Sequence, residues 1–210
     1  DQMLDTPENN FCTMNPRAGG THAGGAGYTL AEGNLKISTT TNARTMHATM
    51  GLSSGKWYFE IKANDYSSGG GVYFGLASNT AITGDSSITL GGMIGFNTYN
   101  GQLFNASGTG TLNGVTAPWQ SNDGFVADGD IIGVWFNIED QEFEIAVNGV
   151  QKGGEGFNIA GLTGWPDIPE FIPFIHRGGS NNEVYQLNFG QGDPDGENNY
   201  TDSNGRGGFR

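Results

Sequence analysis

Hydrophobic and polar residues alternate strictly along Lys56-Trp57-Tyr58-Phe59-Glu60-Ile61-Lys62. A period of two places Trp57, Phe59 and Ile61 on one face of a β-strand and both lysines with Glu60 on the other. The pattern predicts a half-buried strand with its apolar side in the core. Glu142-Phe143-Glu144-Ile145-Ala146-Val147 repeats it, with Phe143, Ile145 and Val147 inward. That segment runs into Asn148-Gly149, whose residues both tolerate positive φ, which predicts a two-residue hairpin of type I′. Upstream, Ile131 to Ile138 is apolar on both faces and carries Gly133, as expected of a central strand covered on both sides. Glu139-Asp140-Gln141 then forms the turn into the next strand.

Further strands are expected at Leu35–Ser38, Val72–Ala77, Met93–Asn97, Gln102–Asn105, Phe171–Ile175 and Val184–Phe189, separated by Gly, Asn, Ser or Pro clusters. No window sustains the 3.6 period of an amphipathic helix, and no internal repeat marks a solenoid or propeller. Antiparallel strands without helices must bury their inner faces on each other. The expected fold is therefore all-β, a two-sheet antiparallel β-sandwich rather than a closed barrel. Phe11, Tyr28, Leu30, Leu35 and Ile37 give the opening segment enough apolar content to pack onto it.

Composition sharpens this picture in three ways. Gly (37) and Pro (7) make about a fifth of the 210 residues, below the roughly 25–30% of low-complexity chains, so a packed but loop-rich fold is expected. Charged residues are only 15%, so the surface is built largely from Gly, Asn, Ser and Thr. The net charge of −13 argues against nucleic acid or an anionic membrane as partner, since both require a basic patch. The longest apolar runs are too short to cross a bilayer, and a single cysteine, Cys12, cannot form an internal disulfide.

Four blocks in order, Gly55-Lys56-Trp57-Tyr58-Phe59-Glu60, Val72-Tyr73-Phe74-Gly75-Leu76-Ala77, Gly129-Asp130-Ile131-Ile132-Gly133-Val134 and Leu187-Asn188-Phe189-Gly190-Gln191, together with the Val147-Asn148-Gly149 turn, resemble a SPRY (B30.2-type) domain. The resemblance spans roughly residues 44–191. Residues 1–43 are then a segment packing onto the sandwich, and residues 192–210 a C-terminal extension. The stretch from Asp5 to Pro16 resembles the segment that precedes SPRY domains in bacteriophage virion proteins. The stretch from Thr201 to Phe209 looks like a tail that in those proteins continues into a Pro-rich, aromatic segment. The resemblance implies a concanavalin-A-like sandwich that binds other macromolecules through rim loops without catalysis or cofactor. It further implies a structural or adhesion part of a virion, exposed on the particle surface and present in many copies, with other virion proteins and a host surface protein or glycan as partners. A carbohydrate-binding, lectin-like domain is the alternative. Ending at Arg210, the chain is expected to leave a bare edge near Phe209 and the Asp5–Pro16 segment for another chain to cover.

Residues with catalytic potential fit this reading poorly. Glu142 and Glu144 share a strand face, as the paired carboxylates of sandwich glycosidases do, but Ala146 occupies the next position of the pattern. Gly51-Leu52-Ser53-Ser54-Gly55 matches a nucleophile elbow, yet a strand follows where a helix is needed. His22, His47 and His176 lack metal-ligand spacing and acidic neighbours. Asp193-Pro194-Asp195-Gly196-Glu197 alternates oxygen ligands as calcium loops do, with glycine in the wrong position. Asn105-Ala106-Ser107 and Asn199-Tyr200-Thr201 are glycosylation acceptors only in a secretory pathway. The expected site is instead a set of loop aromatics, Tyr66, Tyr99 and Trp119, with Trp165 a weaker candidate that packs beside Pro166.

Overall fold

A computed structural model describes residues 11–17, 28–39, 45–66, 71–78, 93–101, 103–105, 108–109, 125–152, 170–177 and 182–191. Among these there is no helix. Thirteen strands form two antiparallel sheets: β1 Tyr28–Ala31, β2 Lys36–Thr39, β3 Thr45–His47, β4 Lys56–Asp65, β5 Val72–Ser78, β6 Met93–Asn97, β7 Leu103–Asn105, β8 Gly108–Thr109, β9 Ile131–Asn137, β10 Glu142–Val147, β11 Val150–Lys152, β12 Phe171–Arg177 and β13 Glu183–Asn188. The seven-stranded sheet runs β1-β2-β13-β4-β9-β10-β11 and the six-stranded sheet β3-β12-β5-β6-β7-β8. The architecture is the expected two-sheet sandwich.

Alternation decides what each sheet buries. Phe59 and Ile61 of β4, Val134 and Phe136 of β9, Phe143 and Ile145 of β10 and Leu187 of β13 meet Phe74, Leu76, Phe96, Phe171 and Ile175 from the opposite sheet in one core. An edge-to-face contact joins the sheets where Phe74 meets Tyr185, ring centroids 5.0 Å apart. The β1–β2 hairpin extends the larger sheet by pairing Thr39 with Glu183 and Ile37 with Tyr185. The strand expected at Leu35 starts one residue later, and Leu35 N–H caps the turn by donating to the Ala31 and Glu32 carbonyls.

Asn148 (φ 51°) and Gly149 (φ 73°) form a two-residue turn closed by the Val147–Val150 pair, as the dipeptide predicts. Nothing lies within 4 Å of where a Gly149 Cβ would stand, so backbone conformation alone selects glycine there. The 138–141 turn between β9 and β10 is also where expected, with Gln141 at φ 57°.

Three expectations are corrected. Trp57 has the inward parity of Phe59 yet is 45% exposed. Its indole folds back over Gly55 and donates to the Ser54 carbonyl at 2.6 Å, while Phe136 and Phe143 fill the core at that level. Glu60 does lie on the outer face but is buried rather than solvated, accepting from Tyr58 Oη at 2.9 Å and Asn188 Nδ2 at 3.0 Å. Strand β9 is central, between β4 and β10, but among the described residues its outer face is covered only by side chains of its own sheet. Tyr58 and Trp135 close over Gly133, and Trp135 remains 37% exposed.

Within the Asp5–Pro16 segment, residues 12–15 are bound by their own chain. Thr49 N–H donates to the Thr13 carbonyl, Asn15 N–H to His47 and Met14 N–H to Asn34, and Gln191 Nε2 donates to the Cys12 carbonyl. This stretch covers the end of β3. Residues 1–10 and Phe209 lie outside the described residues.

Candidate functional site

The ends of β4, β6, β10 and β12 and the starts of β5, β9 and β13 converge at one end of the sandwich, as the antiparallel register requires. Tyr66 follows β4 and Tyr99 follows β6, so the fold brings these two candidate residues to the same end. Tyr66 N–H donates to Asp128 Oδ1. Its side chain is half-buried against the core and its hydroxyl is fully buried, so it is less open than a loop aromatic was expected to be. Tyr99 is also half-buried; its N–H donates to Asn97 Oδ1 at 2.8 Å and its carbonyl accepts from Phe125 N–H at 3.3 Å. Trp119 and Trp165 lie outside the described residues, as do His22, Ser107, the Asp193–Glu197 segment and Asn199.

A short acidic turn makes this end rigid. Gly129 N–H donates to Ala63 and Ala63 N–H to Asp130. Asp130 accepts from Ala127 N–H at 2.8 Å through Oδ2 and from Asn148 Nδ2 at 2.7 Å through Oδ1. Asn148 Oδ1 in turn accepts from Ile131 N–H at 2.9 Å. One aspartate thus ties the turn before β9 to the β10–β11 hairpin.

Beneath the turn, between the sheets, lies a polar layer that the sequence reading missed. Arg177, Glu183, Tyr185, Thr98 and Thr39 are all buried. Tyr185 Oη donates to Glu183 Oε2 at 2.9 Å and lies 3.3 Å from Thr98 Oγ1, which accepts from Val72 N–H at 3.0 Å. Burial pushes the Glu183 carboxyl up to about 7, against the opposing effects of Tyr185 and Arg177, and Asp65 adds to the rise. Burial also raises the Tyr185 phenol well above its ordinary value. The available signal was parity: Arg177 is two positions after the core residue Ile175, and Glu183 two before Tyr185.

Among the described residues, the carboxylates, serine and histidines with catalytic potential are dispersed. Glu144 accepts from Gln151 Nε2 at 2.8 Å on the outer face. Ser54 lies in the turn before β4, where Gly55 N–H donates to both Glu139 oxygens at 2.7 and 2.9 Å. His47 Nδ1 donates to the Ala48 carbonyl. His176, on the outer face of β12, shares a 2.8 Å hydrogen bond with Thr45 Oγ1, and burial lowers its pKa to about 4. Among the described residues no group of three His, Cys, Asp or Glu could hold a metal ion, and no helix is long and apolar enough to cross a membrane.

An all-β sandwich with these strand pairings defines a class, and comparison with solved structures narrows it. The SPRY domain of human HERC1 superposes with a TM-score of 0.58 at 16% identity, over 83% of this chain and 96% of that one. The PSpry domain of TRIM65 superposes with a TM-score of 0.57 at 10% identity, over 85% and 92%. The chain therefore has the SPRY-type fold. No family model and no curated protein matches its sequence.

Proposed function

We propose that this chain is a non-enzymatic binding module of a bacteriophage virion, a fibre, tail or capsid-decoration component that contacts other proteins or the host surface through loops at the Tyr66–Tyr99 end. The observation that carries the binding reading is that end itself. Two tyrosines stand on a frame fixed by Asp128, Asp130 and Asn148, the kind of rigid aromatic support that binding sites use. A SPRY-type fold favours protein partners over small substrates, and among the described residues the scattered carboxylates, serines and histidines offer no paired acid and base. The virion assignment draws on the resemblance of the Asp5–Pro16 segment to phage proteins. It places the chain on the particle surface in many copies, without nucleic acid, membrane insertion or cofactor.

Mass spectrometry of intact purified phage particles tests this. The chain is expected as a stoichiometric component, and its absence from every particle fraction of its source would contradict the assignment.

The lectin-like alternative has one observation in its favour. Trp135 stacks on Tyr58, centroids 4.4 Å apart, beside the Glu144–Gln151 pair. An exposed indole near amide and carboxylate groups suits a sugar ring. Retention of specific glycans on an array, lost in Trp135→Ala, would favour it.

A further inference from the structure

The same end holds a buried cation whose two terminal nitrogens make no hydrogen bond. Arg177 is the last residue of β12, and alternation from the core residues Phe171 and Ile175 turns its side chain inward between the sheets. It is 1% exposed, and neither Nη1 nor Nη2 makes a hydrogen bond. Glu183, on the facing sheet, is near enough to interact electrostatically, but its Oε2 is held by Tyr185. A guanidinium withdrawn from water normally has its charge and its fork of N–H groups met by an acceptor. Among the described residues none supplies that acceptor.

The surroundings select the missing group. The terminal nitrogens of arginine match the two oxygens of a carboxylate. Glu183 beside them and a net charge of −13 disfavour a multiply charged anion such as phosphate. Strand pairing puts Arg177, opposite Val72 at the start of β5, at the same end of the sandwich as Tyr66 and Tyr99.

We propose that this end receives one carboxylate, carried by an acidic side chain of a partner segment docking on the Tyr66–Tyr99 end, with Arg177 as its anchor. This rests on the binding reading above for the choice of end, and adds the chemistry of the partner.

Thermal unfolding of the full chain at fixed pH and ionic strength tests the proposal with three probes: acetate, the blocked peptide acetyl-Gly-Asp-Gly-amide, and its Asn counterpart. The Asp peptide is expected to raise the unfolding midpoint of the wild type more than the Asn peptide or acetate does. Arg177→Met, uncharged and similar in reach, is expected to fold and to lose that difference. Should it not fold, Arg177→Lys keeps the charge without the fork and is expected to need at least roughly tenfold more Asp peptide for the same shift. Equal responses to the Asp and Asn peptides, or an undiminished response in a folded Arg177 variant, would overturn the proposal. Acetate matching the Asp peptide would overturn the partner segment in favour of a small free carboxylate. None of these failures touches the loop-end reading, which is read out independently by exchange protection on assembly.

Discussion

Tyr185 donates a 2.9 Å hydrogen bond to Glu183 two residues earlier on the same inward face of β13, so a carboxyl that burial moves to about 7 sits inside the sandwich, at the end that carries Tyr66 and Tyr99. Burial disfavours the charged form of this group, which couples the stability of this end to pH.

His176, on the outer face of β12 in the facing sheet, responds in the reverse sense. Between about pH 4.5 and 6.5, unfolding releases a proton from Glu183, whose folded pKa is raised, and takes one up on His176, whose folded pKa is lowered to about 4. Glu183 therefore contributes stability that is complete below its unfolded pKa and is lost as pH rises towards 7. His176 contributes stability that is complete above its unfolded pKa and is lost as pH falls towards 4. The two slopes, each at most about 1.4 kcal/mol per pH unit, oppose one another. Denaturant midpoints across this window should change little from these two groups in the wild type, rise with pH in Glu183→Gln and fall with pH in His176→Gln. Parallel slopes in the two variants would contradict the assignment.

Trp57 and Phe59 share parity but differ in burial, 45% against 3% exposed. Phe59→Ala should cost about 3–5 kcal/mol as a core truncation. Trp57→Ala should cost no more than about 1 kcal/mol, the worth of its bond to the Ser54 carbonyl. Urea titration of both variants separates them.

Gly149→Val should destabilise the β10–β11 hairpin by roughly 1–2 kcal/mol, because a β-branched residue resists the φ of 73° that the turn requires. Gly149→Asn should retain most of the stability. Amide exchange at Lys152, whose strand the turn sets in register, should report the loss locally.

Gly133→Ala should be destabilising by about 1–3 kcal/mol. A Cβ there would meet Tyr58 Oη at 2.8 Å and the Trp135 ring at 2.8–2.9 Å, and Trp135 cannot move without losing its stack on Tyr58. A Trp135 fluorescence spectrum unchanged by the substitution would show that the rings do not close over Gly133.

The sandwich was legible because its strands carry period-two patterns: Phe59 and Ile61, Phe143 and Ile145, and the Asn148-Gly149 turn all stand where alternation and turn chemistry require. The seam between distant segments was not. Pairing of β13 with both β2 and β4 is non-local, and no local pattern selects Glu183 as the partner of Thr39. Trp57 misled because parity assigns a face but not whether the facing sheet still covers it. The polar layer was hidden for a related reason. Arg177 and Glu183 fall just outside the strands expected at Phe171–Ile175 and Val184–Phe189, although their parity with Ile175 and Tyr185 directs them inward. Tyr66 and Tyr99 were legible as aromatics next to loops, but their convergence at one end follows only from the strand order.

The central claim, that this SPRY-type sandwich binds through the end carrying Tyr66 and Tyr99, is tested most directly by hydrogen exchange of the isolated chain compared with the chain assembled in purified particles. New protection is expected at residues 97–101, 125–130 and 148–149, with little change at residues 51–57 and 138–141 of the opposite end. Protection confined to that opposite end, or to β9 and β10 around Trp135, would contradict the account.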